Sequence, residues 1–320
     1  TVAELDTLKA LLGGKITTDY AISDTVANVV TAVGNTTSLA NLKAQDGGSG
    51  SVSVTGNATV AQISTINTAL DATELVNSSI SLSDTAANLK AASSAGGEDQ
   101  NAIVDAASIA VSDAINVADV GTINGVASLT LGTSLTYSLT DTAANIFNNS
   151  SSFPAGGATG TSAQHKATTI TVSDVGITVA QAAAMSTGRT GLTTATFDLL
   201  DTVSGFGSTT DAINSAATTI TAKDAISTLV NTSGTKATDI PTGATLCASD
   251  SLGNLSGATT AQKSAVNKFV VTGTVDPAVL TATSGDVAKI DGLIDLGKTI
   301  TYVLTPSTYA ELTATGASKA

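Results

Sequence analysis

The hydrophobic and polar positions of this chain fall into a phrase that repeats. Apolar and polar residues alternate, an Asp-Thr pair follows, and an Asn stands four residues after the Asp. The clearest copies contain Asp24, Asp84 and Asp141, which lie 60 and 57 residues apart. The alternation predicts short strands with one buried face. A fixed period of this size is typical of proteins built from stacked repeats.

Degenerate copies and a second phrase fill the rest of the chain. From Gly56 to Asp84, and again from Asp113 to Asp141, is 28 residues, so one coil has about 28 residues and two coil types alternate. The degenerate copies of the first phrase lie at 197–202, 246–254 and 300–306. The second phrase, an alternating strand that ends at a turn residue, lies at 52–56, 109–113, 170–174, 220–224 and 269–273.

Each coil is predicted to continue from its strand into a short helix. In the second coil type, Thr59 and Gln62 form a capping box, in which each side chain bonds the other residue's main-chain N–H. In the first type, we expect Asp24, Asp84 and Asp141 to be the N-caps, since a carboxylate suits the positive end of a helix. Further boxes lie at 178–181 and 259–262, with a variant at 116–119.

These patterns together predict an α/β repeat solenoid. Parallel strands would stack as rungs with short helices, with about 28 residues per coil and about 57 per two-coil repeat. Residues 1–206 would form the regular two-coil repeats, and 207–320 would be degenerate repeats that continue the same solenoid. The curvature stays open, because strands repeat at about 4.8 Å whereas packed helices need about 8–10 Å.

Composition narrows the class of protein. Charged residues are 12% of the 320, and 13 Lys and Arg against 26 Asp and Glu give a net charge of −13, which argues against nucleic acid as a partner. No apolar run is long enough to span a membrane, so we expect no membrane insertion. A single Cys and an acidic, hydroxyl-rich composition favour an exported bacterial surface protein. The missing initiator Met favours a processed or excised chain.

The two ends carry the same signal. A capping box opens the chain at 1–4 and another lies at 308–311. Neither end has the polar cap that a soluble repeat protein normally needs, so we expect head-to-tail stacking of copies. The alternative, that the chain is cut from a longer repeat array, stays open. The expected subunit interface comprises Leu5, Leu8, Leu11, Leu12, Ile300, Tyr302 and Leu304.

The Asp-Thr-Ala-Ala-Asn phrases at 84–88 and 141–145, interleaved with Thr-Val-Ala-Gln helices, resemble repeats of large secreted bacterial surface proteins. These are described as S-layer-like, adhesin-like or haemolysin-type proteins with β-strand repeats, and the resemblance covers most of residues 15–206. It implies a scaffold role. Calcium-binding Gly-Gly-x-Gly-x-Asp repeats found in related proteins are not present; the stretch at 46–50 comes nearest and lacks the Asp.

Few residues carry candidate chemistry. Asp24, Asp84 and Asp141 could bind Ca²⁺ if they stack in register, although helix capping also explains them. No catalytic residue and no cofactor is expected, with calcium as the only possible ion. We expect His165 to be a solvated loop residue and Cys247 a buried small residue, so a Cys-His pair is not expected.

Two further series have both an architectural and a plainer interpretation. Asn28, Asn88, Asn145 and Asn254 could form a buried amide ladder or be ordinary residues of the first helical turn. Tyr20, Tyr137 and Tyr302 are expected to fill the core or the sheet edge rather than bind sugar.

The resulting functional prediction is a non-enzymatic extracellular structural protein that self-assembles head-to-tail into a surface filament or layer. The expected partner is the protein itself, with cell-surface glycans as a further candidate. The first alternative is a stalk or scaffold segment of a larger adhesin. The second is a β-helical polysaccharide-active enzyme, which would need a carboxylate pair or a basic cluster in a cleft.

Overall fold

The structure is a computed structural model of a mixed α/β protein. It describes residues 1–13, 20–43, 51–70, 80–150, 152–154, 162–174, 176–189, 191–275 and 286–304. The second terminal capping box, at 308–311, and the glycine-rich stretch at 46–50 lie outside the described residues.

The described strands form three parallel sheets of two, five and six strands. Within each sheet the strands follow chain order: β1-β2, then β3 to β8, then β9 to β13. The strands are β1 (Ala21–Thr25), β2 (Ser51–Thr55), β3 (Asn57–Ala58), β4 (Ser81–Asp84), β5 (Ser108–Ile115), β6 (Leu135–Asp141), β7 (Ile170–Val172), β8 (Ala195–Thr196), β9 (Leu199–Asp201), β10 (Ile220–Asp224), β11 (Thr245–Asp250), β12 (Lys268–Val275) and β13 (Thr299–Leu304).

The predicted α/β repeat solenoid is therefore wrong, because three separate sheets replace one continuous stack. The first break lies at Gly56, between β2, which pairs with β1, and β3, which pairs with β4. Gly56 has φ +89°, a conformation that only glycine adopts without strain. The second break lies between β8 and β9. There an isolated parallel bridge, rather than a strand pair, joins Ile177 to Leu199 of β9, and the Ile177 N–H donates to the Asp198 carbonyl at 2.8 Å.

The sequence predicts that each strand of the second phrase ends at its turn residue. This is correct for β10, which ends at Asp224, whereas β5 and β12 continue past their turn residues. In β5 the chain continues through Asp113, and the register with β6 shifts between Ala110 and Ala114. In β12 it continues through Gly273 with a similar shift against β13. A residue inserted into one strand of a pair bends that strand. The residues that follow the turn include a buried apolar side chain, as in Ala58, Ile115, Ile177 and Val275.

Sixteen helices lie in the described part of the chain. They are α1 (Val2–Leu12), α2 (Val26–Val33), α3 (Thr36–Lys43), α4 (Val60–Ala69), α5 (Ala86–Ala95), α6 (Gly97–Val104), α7 (Val117–Ala127), α8 (Ala143–Ile146), α9 (Ala163–Lys166), α10 (Val179–Arg189), α11 (Val203–Phe206), α12 (Asp211–Ala216), α13 (Ile226–Leu229), α14 (Leu252–Gly257), α15 (Thr260–Ala265) and α16 (Asp286–Ile294). Most are short, so packing rather than intrinsic propensity must hold them.

The chain divides into two compact units. The first comprises Thr1–Asn148 with Pro154–Thr171, and the second comprises Asn149–Phe153 with Val172–Ala320. The predicted division at residue 206 rests on repeat spacing, whereas compactness divides the chain elsewhere. Apolar residues from strands and helices fill each core. Val29, Ile63, Leu89, Ile123 and Leu139 are fully buried in the first unit, and Met185, Leu199, Phe206, Leu255 and Phe269 in the second.

Among the described helices, none combines the length and the apolar character needed to cross a lipid bilayer.

Candidate functional site

The Asp-Thr phrase starts a helix, but the capping residue is not the Asp. Thr25, Thr85 and Thr142 are the N-caps, and their side chains accept hydrogen bonds from the N–H groups of Asn28, Asn88 and Asn145. These bonds measure 3.3, 3.2 and 3.3 Å. The prediction that Asp24, Asp84 and Asp141 are N-caps is wrong, because each Asp is the last residue before the cap and its carboxylate faces other donors.

Each of these three carboxylates is bound twice within its own phrase. In the second copy, Asp84 Oδ1 accepts a hydrogen bond from the Thr85 N–H at 2.8 Å and another from Asn88 Nδ2 at 2.7 Å. The first and third copies have the same two bonds at the same lengths. The Asp-Thr pair and the Asn four residues later are therefore one bonded unit, which we call the Asp-Thr-Asn motif.

A third bond ties each motif to an earlier helix of the chain. The other oxygen, Oδ2, accepts a hydrogen bond from the first N–H of that helix: Val2 to Asp24 at 2.9 Å, and Val60 to Asp84 at 3.0 Å. Val117 donates to Asp141 in the same way, at 3.0 Å. The first N–H groups of a helix have no partner within the helix, and a carboxylate also suits the helix's positive end. The motif therefore satisfies donors of two successive helices.

Two later Asp residues keep this tie: Asp201, in a degenerate copy of the first phrase, and Asp224, the turn residue of a second-phrase strand. Asp201 Oδ2 accepts a hydrogen bond from Val179 N–H at 2.9 Å, and Asp224 Oδ2 accepts one from Val203 N–H at 3.3 Å. Position four after Asp201 is Gly205, and a side chain there would collide with the Asp201 carboxylate. Asp250 keeps its own Asn254, which donates at 2.7 Å.

The environment of Asp24 shifts its pKa below the ordinary value. Burial alone would raise the pKa, since it disfavours the charged form, but hydrogen bonds from Asn28, Val2 and Thr25 favour the carboxylate and outweigh burial. Asp24, Asp84 and Asp141 are all buried, at 7, 7 and 8% exposure. At Asp24 the N–H donors therefore favour the charged carboxylate in spite of its burial.

The calcium hypothesis for Asp24, Asp84 and Asp141 stays a prediction. No cluster of three or more His, Cys, Asp or Glu residues that could hold a metal ion occurs in the described part of the chain. The oxygens of each carboxylate already accept hydrogen bonds from N–H groups, as described above. A calcium ion would have to share these oxygens with donors that carry positive partial charge.

The Asn series does not form a buried ladder. Asn28, Asn88, Asn145 and Asn254 are exposed, and each side-chain amide donates to the Asp of its own motif. The plainer interpretation, first-turn helix residues, is correct in position but omits this bond. Of the tyrosines, Tyr137 lies in the core, with its hydroxyl donating to the Ala163 carbonyl at 2.9 Å. Tyr20 and Tyr302 are half-buried.

The capping boxes of the second coil type are confirmed at 59–62 and 259–262, and so is the box at 1–4. Thr178 and Gln181 exchange the same two bonds, at 3.0 and 3.2 Å. The Gln side chain also donates to a carbonyl that follows an earlier helix. Gln262 donates to Val230 at 3.1 Å and Gln181 to Ser150 at 3.3 Å. This second contact with an earlier helix satisfies main-chain carbonyl acceptors, whereas the carboxylate tie satisfies main-chain N–H donors.

The predicted interface residues divide into three groups. Leu5 is a core residue and Leu8 is half-buried, whereas Leu11 and Leu12 are exposed, Leu11 to 77%. Ile300 and Tyr302 are half-buried on β13. The side chain of Leu304 lies outside the described part of the structure. The exposed Val303, at 62%, belongs to the same end and was missed, because alternation alone assigns it to the solvent side.

The single His and the single Cys lie in different settings. His165 is half-buried, and its Nδ1 lies 2.7 Å from Ser162 Oγ. This is a contact across one turn of α9, so the expected solvated loop residue is instead held in place. Cys247 is buried on β11, as predicted, and burial raises the pKa of its thiol.

Two shallow concavities of the second unit flank α12. One, of about 520 Å³, is lined by small and hydroxyl residues such as Ser186, Thr193 and Ser215. The other, of about 540 Å³, contains the carboxylates of Asp211 and Asp239. Neither brings together the residues singled out in the sequence.

Sequence reasoning missed the roles of Thr25, Thr85 and Thr142, and of the valines that begin α1, α4 and α7. A signal for both was present. The Thr stands three residues before the Asn, which is the N-cap to N3 spacing, and each Val follows the N-cap of a neighbouring second-type coil.

A comparison with models of protein families, with curated proteins and with solved structures found no match to this chain.

Proposed function

We propose that this chain is a non-enzymatic structural protein of the bacterial cell surface, which associates end to end into a filament or layer. The observation that carries the proposal is the state of the first and the last described strands of the chain. β1 ends the two-stranded sheet and β13 ends the five-stranded sheet. Neither strand contains Lys, Arg or Pro, the residues that soluble proteins commonly use to protect an open strand edge.

Exposed apolar side chains on α1 and β13 support association. Leu11 and Leu12, at the end of α1, and Val303, on β13, are among the large apolar residues that are exposed. Scattered exposed apolar residues are ordinary on a protein surface, so they carry weight here only because they accompany open strands.

The use of acidic residues also fits a scaffold. Asp24, Asp84 and Asp141 each accept the first N–H of one helix and the N–H of the Thr that caps the next, which is a structural task. In the proposed role, the negative net charge keeps the protein soluble, while the buried carboxylates hold successive helices in place.

Electron microscopy of negatively stained, purified chain tests the proposal. We expect linear or two-dimensional assemblies that grow with protein concentration. Single particles at every concentration would instead favour the rival role, a stalk segment of a larger adhesin. The matched variant is Val303→Lys, which places a charge on the β13 edge and should shorten the assemblies; Thr228→Lys, at an exposed site on α13, is the control.

A further inference from the structure

We infer that the concavity of about 540 Å³ beside α12 binds a neutral saccharide. The inference goes beyond the proposed function and does not depend on end-to-end association. Two stretches of the second unit line the concavity: one lies within residues 209–220 and includes part of α12, and the other is residues 238–242, which precede β11. Because every lining residue belongs to the second unit, one copy of the chain forms the whole concavity.

The lining is rich in groups that recognise hydroxyls. On α12, Asp211, Asn214 and Ser215 are spaced three and four residues apart, which places them on one face of the helix. The stretch 238–242 contributes a second carboxylate, that of Asp239, and two threonine hydroxyls. The concavity therefore combines two carboxylates, a carboxamide and several hydroxyls.

Most of these polar groups are not used to hold the fold. Within the described residues, no hydrogen bond or ion pair engages the carboxylates of Asp211 and Asp239 or the hydroxyls of Thr238 and Thr242. The Oδ1 atom of Asn214 accepts a hydrogen bond from a threonine hydroxyl at 2.9 Å, and its Nδ2 group donates to no described residue. Water satisfies such groups in the free protein, and the hydroxyls of a ligand can replace that water.

A concavity of about 240 Å³ in the first unit shows the opposite situation. It contains the carboxylates of Asp6 and Asp24, but both are occupied. Asp6 accepts hydrogen bonds from Ser38 Oγ at 2.6 Å and from Asn41 Nδ2 at 2.7 Å, which joins α1 to α3. Asp24 accepts the three donors described above. A ligand there would have to break bonds that hold helices together, whereas a ligand beside α12 would not.

The charges of the site decide the class of ligand. Among the described residues that line the concavity, two are acidic and none is cationic, which disfavours an anionic ligand. The Lys236 ammonium group donates to the Pro241 carbonyl at 2.8 Å, so a positive charge already lies at the stretch 238–242 and disfavours a second cation. A neutral ligand with many hydroxyls fits both conditions, because hydroxyls donate strongly to carboxylates. Half-buried Ile220 and Pro241 offer apolar surface to the C–H groups of a sugar ring.

Saturation-transfer NMR of the purified chain tests the inference. The method observes the ligand, so it works whether the chain is monomeric or assembled. The probes are the neutral trisaccharides maltotriose, cellotriose, mannotriose and N-acetylchitotriose, with trigalacturonic acid as the anionic comparison. At about 10 mM we expect saturation of at least one neutral trisaccharide and none of trigalacturonic acid. The signal should be the same in EDTA, because the side chains contact the sugar directly.

Substitutions locate the site. Asp239→Ala, at an exposed position, removes one carboxylate and should raise the dissociation constant of the bound trisaccharide at least about tenfold. Asn214→Ala should weaken binding independently. The matched control is Asp291→Ala, which removes an exposed carboxylate of α16 outside the concavity and should leave the dissociation constant unchanged. Circular dichroism establishes that the variants keep the fold.

Weaker binding by Asp239→Ala together with unchanged binding by Asp291→Ala supports the inference. Four results overturn it: equal affinity of these two variants, a signal that EDTA abolishes, saturation of trigalacturonic acid alone, or no saturation of any probe. The proposed function is tested by assembly of the chain and is independent of all of these results.

Discussion

The Asp-Thr-Asn motif is complete in the first unit and incomplete in most of the second. Asp24, Asp84 and Asp141 each accept hydrogen bonds from the Thr N–H, the Asn amide and the first N–H of an earlier helix. Asp201 and Asp224 have Gly205 and Thr228 where the Asn would stand, yet both keep the bond from the earlier helix. The tie between successive helices persists at Asp201 and Asp224 without the local amide. Asp250 keeps the amide of Asn254, and among the described residues no N–H of an earlier helix donates to it, so the two parts of the motif are separable.

Removing a carboxylate should give the largest difference in stability loss between the two units. Asp84→Ala removes the acceptor of three N–H donors, those of buried Val60, half-buried Thr85 and exposed Asn88, and should lower the free energy of unfolding by about 3 kcal/mol. Asp250→Ala in the second unit removes a half-buried carboxylate and should cost about 1 kcal/mol. Chemical denaturation of both variants measures the difference. Equal losses would contradict the view that the complete, buried motif is the stronger one.

Restoring the missing Asn should have opposite effects at the two incomplete copies. Gly205→Asn forces the Asp201 carboxylate away from its two N–H donors, and we expect a loss of about 2 kcal/mol. Thr228→Asn stands four residues after Asp224 at an exposed position, and should stabilise by about 0.5 kcal/mol. Thermal unfolding decides between these signs. Stabilisation by Gly205→Asn would show that the carboxylate has another satisfactory position.

Substitutions at the N-cap residues should change stability by a smaller amount. Thr85→Ala removes the hydroxyl that caps α5 and should cost about 1 kcal/mol. In the second unit, α13 begins at Ala225 without a side-chain cap, so Ala225→Thr should gain up to about 1 kcal/mol. Midpoints of thermal unfolding report both. If both substitutions raised the midpoint, or both lowered it, helix capping would not explain the Thr of the Asp-Thr phrase.

Low pH should destabilise the first unit through protonation of Asp24. Its pKa is lower in the folded chain than in the unfolded chain, so the unfolded chain takes up the proton first as the pH falls. Its stabilising contribution is complete above the ordinary Asp pKa and is lost as the pH falls through the folded value. Asp24→Asn should therefore flatten the acid limb of a stability profile. An unchanged acid limb in denaturation experiments would contradict the assignment.

Calcium should have the smallest effect. Because the oxygens of Asp24, Asp84 and Asp141 already accept N–H donors, we expect the unfolding temperature to be the same in calcium and in chelator. A rise with calcium that Asp84→Ala abolishes would revive the calcium hypothesis.

Local structure could be predicted from the sequence where a single interaction between nearby residues determines it. Alternation located the strands, and the Thr-to-Gln spacing located helix starts such as Thr59 and Thr259. Both signals depend on residues within one turn of each other. The N-cap was misplaced by one residue because Asp and Thr both favour that position, and only the partner from an earlier helix decides between them.

The sheet arrangement could not be predicted in the same way. Whether β2 and β3 form one strand or two depends on which neighbour each half pairs with, and Gly56 permits either. The repeat spacing is the same in both cases, so a regular period does not distinguish one continuous stack from separate sheets. The state of β1 and β13 as sheet ends follows from that long-range pairing.

End-to-end association of the pure chain is the central claim, and sedimentation velocity across a concentration series tests it most directly. The account predicts species that grow by whole multiples of the monomer without stopping at the dimer, and that shrink when Val303→Lys is introduced. A single monomeric species at every concentration, or a closed dimer indifferent to that substitution, would contradict it.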